Sequence, residues 1–172
     1  MLSLPLSRSG REAAEVASRA AEEAGGILLK HMYGQLKLGQ KAGRANLVTD
    51  VDVAAEKAVI GVLQAEFPDF NIVSEESPAV SRDSQFTWVI DPLDGTNNYV
   101  HGIPIVCVSI GLALGTEPIM GVIYDPVRKE LFTARKGHGA FLNGLPMSVA
   151  HRKTIPEAFL GVDLGYDADK GR

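Results

Sequence analysis

Apolar residues recur at helical spacing in the first part of the chain and at strand spacing after it. Behind Ser9, the positions Val16, Ala20, Ala24, Ile27 and Leu28 share one side of a helix, and Gly34 offers a stop. Ser9 and Glu12 have the spacing of a capping box, in which a serine oxygen takes a free backbone N–H and a glutamate reaches back to the cap. Lys37 to Ala45 is polar, carries Lys37, Lys41 and Arg44, and reads as an exposed connection. A second helix is predicted from about Val53 to Glu66, because Ala55, Val59, Ile60, Leu63 and Phe67 can share one side. Thr49, Asp50 and Asp52 cluster at its start, where hydroxyls and carboxylates satisfy orphan donors, and Pro68 ends it.

From Asn71 onward the pattern changes to short apolar or β-branched runs between turns. Strands are predicted at Asn71 to Ser74, Phe86 to Asp91, Ile105 to Leu114, Ile119 to Tyr124, Glu130 to Ala134 and Ala140 to Leu142, with a further one near Phe159 to Asp163. Gly115 to Pro118, Asp125 to Lys129 and Lys136 to Gly139 have the chemistry of hairpin turns, which favours an antiparallel meander over a βαβ series. The expected class is α+β, with two N-terminal helices packed on a largely antiparallel sheet. Repeats and low-complexity tracts are absent from the sequence.

Composition narrows this picture. A chain of 172 residues, 45% hydrophobic and 22% charged, suits one globular domain. Seventeen basic against 21 acidic residues leave a net charge of -4, so no broad basic face is available for direct nucleic-acid binding. The single cysteine, Cys107, cannot close an internal disulfide; inside VCVSI it is expected to be a small core residue. The opening MLSLPLSRSGR lacks a signal-peptide core, and the interrupted apolar run from Ile103 to Leu114 is too short to span a membrane. The expectation is a cytoplasmic protein without a membrane partner.

The chemistry concentrates in WVIDPLDGTNNYVHG, from Trp88 to Gly102. A strand ends at Asp91, Pro92 fixes a turn, and Asp94 follows, so two carboxylates can reach one side of a strand end. Like charges this close raise each other's pKa unless a cation neutralises them, which invites a metal. Gly95 and Thr96 offer backbone N–H groups in a tight turn that can cradle a phosphate oxygen. The plainer alternative is that Asp91 and Asp94 are turn formers beside Pro92 and Gly95. Glu75 and Glu76 end the strand IVSEES and bring a third carboxylate to the same edge; otherwise they are a solvated strand end. Alternation along a strand lets at most one of them point into the site. Such an oxygen-rich set suits Mg2+ or Mn2+ and not structural zinc. Asp52 is either a helix cap or a group orienting a metal-bound water, and one carboxylate can serve both ends. His101 is a further candidate for substrate contact.

These blocks resemble the inositol monophosphatase family of Mg2+-dependent, lithium-sensitive phosphatases. LVTDVDVAAE (Leu47 to Glu56), IVSEES (Ile72 to Ser77) and WVIDPLDGTNNYVHG carry the resemblance in order, and GVIYDPVRKELFTARKGHGAFLNG (Gly121 to Gly144) resembles the hairpin that follows them. The resemblance implies a layered α/β sandwich of the inositol monophosphatase and fructose-1,6-bisphosphatase type, with residues 1–8 a tail, 9–164 the metal-binding domain, and 165–172 a polar end where a C-terminal domain would begin. It implies two or three Mg2+ per complete site, Mn2+ being an alternative. By position, Glu75 resembles a metal-ligating glutamate, Asp91 the carboxylate bridging two metals, Leu93 a carbonyl ligand and Asp94 a ligand of the second metal. Glu76 resembles the adjacent outer glutamate, Asp52 and Thr96 the pair beside the activated water, and Lys41 a lysine on a mobile loop. Gly95 and Thr96 would supply phosphate-facing amides, and Asp94 lies on the substrate side.

The implied reaction is direct attack of metal-activated water on a phosphate monoester, foremost inositol monophosphate. Fructose 1,6-bisphosphate, histidinol phosphate and adenosine 3',5'-bisphosphate are the alternative substrates, so the small partner is a phosphorylated polyol or sugar and a homodimer is a candidate assembly. The resemblance covers the N-terminal two thirds of the family's fold; a Trp-Asp-x-Ala-Ala-Gly segment that would complete the second metal site is not in the sequence. A truncated enzyme, a split protein and a non-catalytic interaction protein, of the kind associated with transcription or RNA processing, are the readings this leaves.

Overall fold

The computed structural model describes residues 3–34, 36, 38–40, 47–159 and 161. Helix α1 (Ala13–His31) is followed by the short strands β1 (Leu38–Gln40) and β2 (Leu47–Thr49), then helix α2 (Asp50–Glu66). Strands β3 (Asn71–Ser74) and β4 (Phe86–Asp94), a short helix α3 (Thr96–Val100), and strands β5 (Cys107–Leu114), β6 (Glu117–Asp125), β7 (Glu130–Arg135), β8 (Gly139–Leu142) and β9 (Leu145–Met147) complete the main body.

Strands β3 to β9 lie in one sheet in sequence order; β3 and β4 are parallel and every later pair is antiparallel. The two long helices pack on each other, with α1 against β4 to β6 and α2 against β4. Strand alternation sends Trp88, Ile90, Val108, Ile110, Leu112 and Val122 into the helical layer, where all are buried. Val89 and Ile123 point the other way and are exposed. This is the α+β layering expected from the change in hydrophobic period.

Small residues let α1 sit close to the sheet. Its buried side is Ala13, Val16, Ala17, Ala20, Ala21, Ala24, Gly25 and Leu28. A Cβ added at Gly25 would lie 2.6 Å from Cε1 of Tyr124, so the helix touches β6 there at backbone distance. Ile27, expected on the same side, is only partly buried.

The capping box expected from Ser9 and Glu12 does not form. Ser9 instead donates its hydroxyl to Glu66 Oε2 at 2.7 Å and its backbone N–H to the same oxygen at 3.3 Å, while Glu12 occupies the cap position with no side-chain bond to the helix end. A partner distant in sequence has displaced the local one. Residues from Leu4 onward, within the stretch read as a tail, are tied down: Leu4 is buried and Arg8 N–H donates to Glu66 O at 3.0 Å.

Helix α2 starts at Asp50, ahead of the expected Val53, because Thr49 is the true cap. Part of the stretch read as a connection pairs as the β1–β2 hairpin ladder, and α3 and β9 were not anticipated. Phe159 is fully exposed outside any strand, so the strand expected from it does not begin there. Asp163, residues 165–172, Lys37, Lys41 and Arg44 lie outside the described residues.

Candidate metal and phosphate site

Parallel pairing puts the C-terminal ends of β3 and β4 at the same edge of the sheet. The last paired residues are Ser74 and Ile90, so the next residues along the two chains are Glu75 and Asp91. Asp94 reaches this edge through an irregularity in β4. Asp91 is opposite Ser109 and Asp94 opposite Cys107, so three steps along β4 match two along β5. In a regular strand, residues three apart face opposite sides; the extra residue of a bulge returns Asp94 to the side of Asp91. Pro92, which has no N–H to pair, sits within the irregular stretch.

Asp91 bears the consequence. Its carboxyl is pushed up from 3.8 to about 7, first by burial, then by the charge of Glu75 and a hydrogen bond shared with it, and then by Asp94; the Leu93 N–H, 3.2 Å from Oδ1, opposes this. Two carboxyl groups can share a hydrogen bond only when a proton lies between them, and a cation can take that proton's place. Among the described residues no group of three or more His, Cys, Asp or Glu side chains is closed enough to hold a metal ion outright. Glu75, Asp91 and Asp94 thus form an open edge of hard oxygen donors. Their chemistry fits Mg2+, Mn2+ or Ca2+, and the shell they offer is partial.

Thr96 and Asp52 meet beside this edge. Thr49 caps α2 by accepting from the N–H groups of Val51 and Asp52, and Asp52 Oδ2 accepts in return from Thr49 N at 2.8 Å and Thr49 Oγ1 at 2.5 Å. That reciprocal cap leaves Asp52 Oδ1 for the Thr96 hydroxyl at 3.1 Å, which is also 3.1 Å from the Leu93 carbonyl. Asp52 is 1% exposed, so its orientation is fixed by the cap at one end and by Thr96 at the other. It stands at the third position of the cap, not at the cap itself.

Gly95 turns the chain from β4 into α3 with a φ of 96°, and an added Cβ would lie 2.9 Å from the Ile105 carbonyl oxygen. Only glycine fits this corner. Tyr99 secures α3 to the helical layer by donating its hydroxyl to Leu28 O at 2.6 Å; burial, followed by the charges of Asp52 and Asp50, pushes the phenol up to about 12. His101 is exposed, with Nδ1 2.7 Å from Asn97 O at the end of α3. That contact closes the helix end.

Cys107 is not a core residue. It is half-buried, with Sγ 3.7 Å from Asp94 Oδ2, and burial followed by the charges of Asp94 and Asp91 pushes the thiol up to about 12. It lines an open cavity of about 680 Å3 with Asp94, Gly95, Asn98, Arg128 and Glu130. Arg128 is held by Asp125 Oδ2 at 2.6 Å and by Pro104 O at 3.2 Å.

The residue that the sequence reading passed over is Glu56. It is 1% exposed, and its Oε1 accepts from Glu76 N at 3.0 Å and Ser77 N at 3.1 Å, while Oε2 accepts from the Ser77 hydroxyl. The signal was present: Glu56 follows Asp52 by one helical turn and lies among Ala55, Val59 and Leu63 on the buried side of α2. A carboxylate on an apolar face needs donors, and these come from the segment following Glu75. Glu76 enters this arrangement through its backbone N–H. Lys41 cannot be placed, since it lies outside the described residues.

A model described as the inositol monophosphatase family matches residues 10–172. The inositol monophosphatase 3 of Solanum lycopersicum is 41% identical over 160 residues, covering 91% of this chain and 59% of its own length. A crystal structure of the extragenic suppressor protein suhB from Bartonella henselae has a TM-score of 0.78 at 40% identity, over 80% of this chain and 54% of that one. An IMPase/NADP phosphatase complexed with NADP and Ca2+ has a TM-score of 0.64 at 28% identity, over 73% of this chain and 48% of that one. The chain therefore spans less than two thirds of the length of each. No helix among the described residues is long and apolar enough to cross a membrane.

Proposed function

The chain belongs to the inositol monophosphatase family, and on that premise we propose that residues 9–164 form the metal- and phosphate-binding domain of a divalent-cation-dependent phosphomonoesterase acting on inositol monophosphate in the cytoplasm. The observation that carries this reading is the meeting of Glu75, Asp91 and Asp94 at one sheet edge, with Asp91 holding a proton up to about pH 7 in the absence of a cation.

Glu75, Asp91, Asp94 and the Leu93 carbonyl would hold the cations, Mg2+ foremost. When bound, these ions supply the positive charge that acidifies a water molecule and neutralises the phosphate. The chain's own groups do the rest. The Asp52 carboxylate and Thr96 hydroxyl, 3.1 Å apart, orient the attacking water, and Thr96 Oγ1 takes its proton as the hydroxyl passes its own to Asp52. The amides of Gly95 and Thr96 bind the phosphate oxygens, and Asp94 faces the leaving alcohol. Glu76 supports the cluster from outside, and Lys41 is assigned by resemblance to the loop that approaches the site. The open cavity next to Asp94 admits a small phosphorylated polyol or sugar from solvent.

Calorimetric titration of Mg2+ or Mn2+ into the wild-type protein and Asp91→Asn tests the cluster, and phosphate release from inositol 1-phosphate tests the chemistry. Saturable binding that is lost in Asp91→Asn is expected. Identical titrations for the two proteins would remove Asp91 from the site, and hydrolysis indifferent to chelator would remove the cations from the reaction.

A further inference from the structure

Glu75 follows the last residue of β3, so the ladder that holds Ser74 does not hold it. The loop it enters is closed at its base, where Ile72 and Val80 exchange backbone hydrogen bonds of 2.9 and 2.8 Å. Near Glu75 the fastening is Glu56. Both of its oxygens are occupied by donors from Glu76 and Ser77, and the carboxylate is buried.

The same helix holds the other half of the site. Asp52 and Glu56 are one turn apart on the buried side of α2; the first takes the Thr96 hydroxyl at the end of β4, and the second takes the backbone after Glu75 at the end of β3. The two grips fall on the chain just after Glu75 and just after the strand that carries Asp91, so α2 spans the gap between these carboxylates. A rigid helix spanning it fixes the distance between the carboxylates more firmly than two free loop ends could.

We propose that Glu56 is a positioning residue, which holds Glu75 at the distance from Asp91 that a shared divalent cation requires. This rests on the cation site of the preceding section. A carboxylate is suited to the role because it accepts from two amides and a hydroxyl together, and because such charge-assisted bonds are short and directional. Glu56→Asp keeps the charge and withdraws it by one methylene, so it should draw the loop inward or release it. Outer partners of this kind set metal affinity by about tenfold or more.

The test is calorimetric titration of Mg2+ into wild type, Glu75→Gln, Glu56→Asp, Ser77→Ala and Val59→Ala, each in its folded temperature range by circular dichroism. Val59 is fully buried on the same face of α2 and, being apolar, cannot bond the donors, so its truncation reports the effect of lost stability. About tenfold weaker binding in Glu56→Asp, a smaller loss in Ser77→Ala and none in Val59→Ala are expected. Unchanged affinity in Glu56→Asp overturns the proposal, as does an equal loss in Val59→Ala. Should Glu56→Asp not fold, Ser77→Ala decides, and wild-type affinity there overturns it. Failure of wild type to bind, or unweakened binding in Glu75→Gln, overturns the cation site itself and is distinct from either result.

Discussion

Two groups of carboxylates stand on either side of the same strand ends, and their surroundings differ. Asp52 and Glu56 on α2 are each 1% exposed, yet each accepts three hydrogen bonds from named groups of the chain. At the sheet edge Asp91 has one N–H, from Leu93, and otherwise faces Glu75 and Asp94. Asp94 has a thiol at 3.7 Å, a weak donor at best. Depth of burial therefore does not mark the carboxylates proposed to hold cations. The distinguishing property is whether the chain supplies the neutralising donors or leaves that to a proton or cation.

Removing a carboxylate should then have opposite effects in the two groups. Glu56→Ala strands two partly buried amides and a hydroxyl, and a loss of about 2 kcal/mol in urea unfolding is expected. A loss below about 1 kcal/mol would show that water replaces the carboxylate and that the two groups differ less than their contacts suggest. Thr96→Ala separates the groups chemically. It leaves the amides proposed to face phosphate and removes the hydroxyl between Asp52 and Leu93, so kcat should fall about tenfold or more with little change in KM. A selective rise in KM would place the hydroxyl on the phosphate.

Asp91→Asn should stabilise the cation-free protein, by about 1 kcal/mol. This is well short of what the full shift would give, because solvent screens a partly buried group. The same variant should lose the rise in Tm that Mg2+ gives the wild type. Destabilisation of the cation-free form would mean that Asp91 is paired by the fold, like Asp52.

The smallest effect concerns a third kind of carboxylate. Hydrogen bonds from Ser9 and Ser7, foremost, hold Glu66 down from 4.5 to about 2. A depressed carboxyl contributes stability that is full above its unfolded pKa and is lost as pH falls toward its folded one. Amide exchange in residues 4–9 should therefore accelerate as pH is lowered from about 4.5 toward 2, after correction for intrinsic rates. Glu66→Gln should abolish that pH dependence, and a persistent one would assign it elsewhere.

The helices and most strands were legible because one face of each is apolar at the period of its element. The same logic hid β9, whose three residues are all exposed and which exists only as the neighbour of β8. Ser9 misled because a local pattern cannot reveal a competing partner 57 residues away. At the site, Asp91, Asp94 and Glu75 were legible as unexplained charges at strand ends. Glu56 was less so, since its role depends on the loop that α2 meets and not on its own neighbours. Cys107 was misread for a related reason: an apolar sequence context does not tell which side of β5 faces Asp94.

The bulge in β4 makes chain length in that stretch a matter of parity. Replacing Pro92 or Leu93 alters packing but keeps Asp91 and Asp94 on one side. Losing or gaining a single residue between them would reverse that relation unless the bulge shifted in compensation, and would carry one carboxylate to the opposite face of the sheet. A substitution there can be absorbed gradually, whereas an insertion or deletion cannot. The segment joining the two aspartates is thus held to a fixed count more strictly than to a fixed spelling.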